Sequence, residues 1–146
     1  MLGQALLTRA MDTGERRVLP AADGHMIRAW NGLSGAFAQS YDALRRPLRR
    51  TYTPPGGGTA TPDDVLLYGE AHADATRRLR GWLFRRYDSA GAATNERFDF
   101  AGSLTDSTLA LPRDRSAPAS WSVLAGVGDI AGAEAAAAPL RQDRIQ

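Results

Sequence analysis

The chain has no cysteine and no lysine, only two histidines, and no apolar run long enough to cross a bilayer. Without cysteine, disulfide frameworks, thiolate metal sites and cysteine nucleophiles are excluded. With so little histidine, nucleophile–base pairs are scarce, and Ser34, Ser40 and Ser107 have no partner signature beside them. The absence of lysine leaves every positive charge to arginine, a bias that a GC-rich genome produces without selection for function. Met1–Arg9 also lacks the basic start and apolar length of a signal peptide.

What is present is ordinary for a globular chain: 146 residues, 43% hydrophobic, 23% charged, net charge +2. Length sets a prior of about one domain. Glycine and proline together make roughly 16% of the chain against a typical 12%, which favours turns and strands over a helical bundle. Asx residues stand shortly before glycine at Asp12–Gly14, Asp23–Gly24, Asn31–Gly32, Asp88–Gly91 and Asp99–Gly102. An Asx side chain caps the turn backbone and glycine accepts the positive φ that follows. Between these turns lie strand-length segments at 16–20, 25–30, 36–41, 82–87, 94–100 and 103–111. Met26 and Trp30, and again Phe98 and Phe100, share a face by alternation. The expectation is a mainly β, antiparallel fold of hairpins forming a curved sheet segment.

Three stretches depart from that pattern. Residues 51–62, with their Pro-Pro-Gly-Gly-Gly core, read as a loop. Residues 70–80 read as a short helix stopped by Gly81. The Ala-rich 118–138 reads as a second helical insert, with Asp129 as N-cap and Pro139 as stop. The divisions expected are 1–50, first hairpins; 51–64, Pro/Gly loop; 65–116, helical insert and second hairpins; and 117–146, an Ala-rich tail ending in frayed residues.

Candidate chemistry is thin. Glu70, His72 and Asp74, with Asp63 and Asp64 nearby, would share a face only on a strand, and a helix would separate them. The segment reads as a polar helix start, and His25 as a surface residue. Pro54–Gly58 lacks the Gly-Lys-Ser/Thr that completes a phosphate loop. The middle is basic: nine arginines between Arg45 and Arg86 face four acids, a local +5. Arginine with interleaved Tyr52, Tyr68, Trp82 and Tyr87 is chemistry that binds single-stranded nucleic acid. Alternation on strands would scatter these side chains between faces, so solvated hairpin faces are the expected reading. Trp30 and Trp82 would also suit a carbohydrate-binding or adhesion module. No catalytic residue, cofactor or metal ligand is expected.

One unit recurs. Tyr41-Asp42-Ala-Leu-Arg-Arg-Pro47, Tyr87-Asp88-Ser-Ala-Gly91 and Phe98-Asp99-Phe-Ala-Gly102 each run aromatic, Asp, two residues, then a turn residue. The unit resembles the YD repeat of the RHS family, in particular its toxin-complex (insecticidal toxin or virulence-plasmid) members. The similarity continues through Tyr68-Gly-Glu70, Leu79-Arg-Gly81, Trp121-Ser122 and the Ala-rich run, and it includes Met1–Gln4. The resemblance implies a non-enzymatic length of β-sheet wall in a hollow shell that encloses a toxin polypeptide. It also implies a secreted or cell-surface assembly, with further repeats or a neighbouring shell subunit as partners. Tyr41, Asp42, Tyr87, Asp88, Gly91, Phe98, Asp99 and Gly102 are then structural repeat positions. The family's self-cleaving Asp-Pro-x-Gly context is missing, so that activity is not carried over. Such shells are far longer than this chain, which reads as a fragment because a few open hairpins leave edges and an apolar face bare.

Overall fold

The structure is a computed structural model that describes residues 6–12, 14–114 and 116–145, the last five by backbone alone. Met1–Gln4, part of the family resemblance, lies outside the described residues. The fold is mainly β, with ten strands and one short α-helix among the described residues. All the strand pairings described are antiparallel between consecutive strands. The six expected strands are β2 (Gly14–Pro20), β3 (Met26–Trp30), β4 (Ala36–Tyr41), β7 (Leu83–Asp88), β8 (Gly91–Phe98) and β9 (Leu104–Pro112).

Four strands were not legible: β1 (Leu7–Ala10), β5 (Pro47–Thr53), β6 (Thr61–Tyr68) and β10 (Arg141–Ile145). β5 opens on a proline, which a strand tolerates at its first residue, where a bulge sets Pro47 opposite Tyr41. The Pro/Gly segment is therefore loop only over 54–60, with strand running into both of its ends. The tail expected to fray is instead β10, paired with β9 from Arg141↔Pro112 to Ile145↔Leu109.

The helix expected over 70–80 is corrected to two 3-10 turns, Gly69–Ala71 and Ala75–Arg77. Asp74 breaks it: its backbone is extended and its side chain accepts from Thr76 N, starting a new turn. Arg78, left-handed at φ 56°, stops that turn at once. In the second insert, Ser122–Leu124 is a 3-10 turn and α1 (Ile130–Ala137) begins where Asp129 accepts from Gly132 N, the expected cap. Pro139 lies in a further 3-10 turn, Ala138–Leu140. No helix among the described residues is long and apolar enough to cross a membrane.

The chain divides into two compact units between Pro62 and Asp63. In the first, Ala29 is buried between Val18 and Phe37 on the neighbouring strands, and Phe37 lies against Tyr52 with ring centres 5.0 Å apart. The second holds the larger core. Val65, Tyr87, Ala92 and Ala110 stand opposite one another across β6–β9 and form one apolar strip. Trp121, Leu124, Ala133 and Ala137 close over it. Leu79, Phe84 and Phe98 make a smaller cluster, and Ile130 packs against both.

Candidate functional site: a turn unit used three times

Three turns share one hydrogen-bond pattern. In Asn31–Gly35, Asp42–Arg46 and Asp99–Ser103, the first residue's carbonyl accepts from the fourth residue's N–H, and its own N–H donates to the fifth residue's carbonyl. In each, the Asx Oδ1 accepts two backbone N–H groups. The distances are 3.2 and 2.8 Å at Asn31, 2.9 and 2.9 Å at Asp42, and 2.8 and 2.8 Å at Asp99. The fourth residue is left-handed in every case: Ser34 at φ 65°, Arg45 at 64° and Gly102 at 84°. This is a type I turn closing through a left-handed bulge, whose twist suits a hairpin. The hairpin between β2 and β3 keeps the backbone frame, with Gly24 at φ 87°, but moves the carboxylate: Asp23 Oδ1 accepts from His25 N.

An aromatic residue precedes each of the three turns. Tyr41 sends its hydroxyl to Met26 O at 2.8 Å, while Phe98 is buried and stacked on Trp82 at 4.9 Å. Trp30 precedes Asn31. This third copy was not seen in the sequence, although its aromatic–Asx pair, Trp30-Asn31, was the available signal. Since a left-handed residue with a Cβ is strained by roughly 1–2 kcal/mol, Arg45→Gly is expected to stabilise the chain by about 1 kcal/mol. Its exposed ion pair with Asp23 (3.3 Å) offsets little of that. A denaturant midpoint that fails to rise would contradict the turn geometry.

Burial raises the Asp42 carboxyl, but hydrogen bonds from the Arg46 backbone and guanidinium outweigh it and hold the group below its ordinary value. A depressed folded pKa stabilises above the unfolded value, and that stability is lost as pH falls through the folded one. Asp42→Asn should therefore flatten the acid limb of the stability–pH curve, read by thermal melts in a series of acidic buffers.

Tyr87 and Asp88 are built differently. Asp88 pairs directly with Gly91, leaving a two-residue loop, and its Oδ1 accepts only from Ala90 N among the hydrogen bonds seen there. Tyr87 is fully buried, edge-on to Trp121 with ring centres 5.0 Å apart. The Trp121 indole donates to Asp88 O at 2.6 Å, and Ala119 N donates to Ser89 O. Gly91, at φ 144°, lies where a Cβ would stand 2.3 Å from Ala110 O. The structure thus separates Tyr87 and Asp88, which receive the Ala-rich segment, and Gly91, which lies against β9, from Tyr41–Asp42 and Phe98–Asp99–Gly102, which make the shared turn.

The other candidates are absorbed locally. Asp74 accepts from Thr76, and its N–H donates to His72 Nδ1, while the His72 ring meets Phe84. Asp64 takes a two-pronged bond from Arg86, at 2.9 and 3.1 Å. No three His, Asp or Glu among the described residues gather to hold a metal. Much of the basic middle is engaged within the chain: Arg45 pairs with Asp23, Arg46 with Asp42, Arg77 with Asp74 and Glu96, Arg86 with Asp64, and Arg85 is buried, while Arg78 and Arg80 are exposed.

No family model matches the chain, and no curated protein does. Solved structures do. The crystal structure of TcdB2-TccC3 matches at TM-score 0.78 and 22% identity, over 97% of this chain. The Photorhabdus luminescens Tc holotoxin pore matches at TM-score 0.79 and 22% identity, again over 97%. The TcdB2-TccC3 structure without its hypervariable C-terminal region gives 0.76 and 21% over 94%. This chain has the fold of a stretch of the Tc toxin complex. It spans 6% of the length of each of those chains.

Proposed function

We propose that this chain is a length of wall in a β-sheet shell of the RHS toxin-complex type, a structural segment of a longer polypeptide with no catalysis of its own. The observation that carries the reading is the fold match over nearly the whole chain to a small part of TcdB2-TccC3. The thrice-used aromatic–Asx turn supports it, since a repeated local unit is how a sheet is extended strand by strand. On this reading Tyr41, Asp42, Phe98, Asp99 and Gly102 set the hairpin geometry, and the partners are adjoining repeats and an enclosed polypeptide. The assembly is secreted or displayed at the cell surface. Arginines already paired within the chain disfavour the nucleic-acid alternative.

The test is to sequence the flanking DNA and size the native polypeptide with an antibody raised against this chain. A frame running on through further aromatic–Asp turns, with a native mass many times 15.7 kDa, is the expected result. A stable native monomer of 15.7 kDa between its own stop codons would overturn the proposal.

A further inference from the structure

The second unit contains a charge that neither its fold nor its turn geometry requires. Arg85, on β7, is 2% exposed. Alternation would place it beside Leu67 and Thr94 on the face that carries Val65 and Tyr87, and their register confirms this. Its Nε donates to Thr94 Oγ1 at 2.8 Å and its guanidinium lies over the Phe84 ring at 4.8 Å. Its carboxylate partner comes from the far side: Nη1 meets Glu134 Oε1 of α1 at 2.9 Å.

Ile130, at the start of α1, packs against both apolar clusters, but the rest of the helix offers little to define how it sits. Its residues are almost all alanine or glycine, and Ala133 and Ala137, its buried positions, present single methyl groups to the sheet. Methyl contacts are individually weak and fit many registers. The segment is anchored at both ends: Trp121 and Ala119 bond to the carbonyls of Asp88 and Ser89, and the Leu140 carbonyl accepts from Arg113 N at 2.8 Å.

We infer that residues 118–140 are a latched strap: the Arg85–Glu134 pair fixes α1 over the apolar strip of β6–β9, and the strap opens as a unit, apart from the sheet beneath it. When it opens, Val65, Tyr87, Ala92 and Ala110 are bared together, giving an apolar surface across four strands. The latch also has a defined sign. Losing Glu134 leaves a guanidinium buried under alanine without its counter-charge, which favours the open state; losing both partners removes that penalty.

Hydrogen exchange read peptide by peptide on the 146-residue chain tests this. In Glu134→Gln, amides of α1 are expected to exchange about tenfold faster while those of β7 and β8 keep their rates. In Arg85→Met combined with Glu134→Gln, the α1 rates return toward those of the parent chain. Unchanged α1 exchange in Glu134→Gln overturns the latch. Equal acceleration in α1, β7 and β8 overturns the separate strap, and failure of the double variant to recover overturns the buried-charge argument.

Discussion

Gly91→Val is expected to destabilise the second unit by about 3 kcal/mol, combining backbone strain with overpacking. Gly91 holds φ 144°, which side-chain-bearing residues rarely adopt, and a Cβ there would meet Ala110 O at 2.3 Å and Leu111 Cα at 3.3 Å. Both obstacles are backbone atoms of β9, the strand paired to β8, so neither can swing away. Relief requires β8 and β9 to separate near Ala92↔Ala110, which is also where the core strip passes. A fall in Tm of roughly 10 °C follows for a chain of this size. Gly126→Ala provides the contrast, since a Cβ there meets nothing within 4 Å. If both variants melt with the parent chain, the close approach of β9 is wrong.

Trp121→Ala should have an effect at least as large, about 3–5 kcal/mol, the range for emptying an aromatic site in a core. The side chain is 1% exposed, rests on Tyr87 and donates its indole N–H to Asp88 O. Trp121→Phe separates the two contributions. It keeps most of the apolar volume but leaves the carbonyl without that donor, for a loss of about 1–2 kcal/mol. Trp82→Ala is expected to be milder, because Trp82 is 46% exposed although it stacks on Phe98. Equilibrium urea unfolding of the three variants checks the order. A Trp82 variant less stable than the Trp121 variant would contradict the placement of the core.

The turns were legible because their chemistry is local. Asp42 and Asp99 bond to N–H groups two and four residues onward, so the pattern lies within a few letters of sequence. Alternation located the strands in 26–30 and 94–100 but misjudged their covered side. In 26–30 the buried residue is Ala29, on the face opposite Met26 and Trp30. Phe100, expected to share a face with Phe98, lies in the turn after β8 and is 90% exposed. β5, β6 and β10 were hidden because proline, glycine and charge obscure the same signal. The isolated reading of 70–80 failed because Asp74 and Arg78 offer the backbone caps in the middle of a helix-length segment, and two short turns satisfy them better than one helix.

The sequence by itself determined the mainly β character, the hairpin positions and the aromatic–Asx unit, since each depends on interactions between near neighbours in the chain. Tertiary structure decided what the side chains do at a distance. Gly91 is glycine because of a carbonyl on the next strand as well as its own backbone conformation. Arg85 counted as one of nine basic residues in sequence and became a buried partner for Glu134 only when α1 folded back over β7. The polar tail became β10 because β9 presents an edge for it to pair with. None of these needs has a local signature, because the partner that creates each one is brought there by the fold.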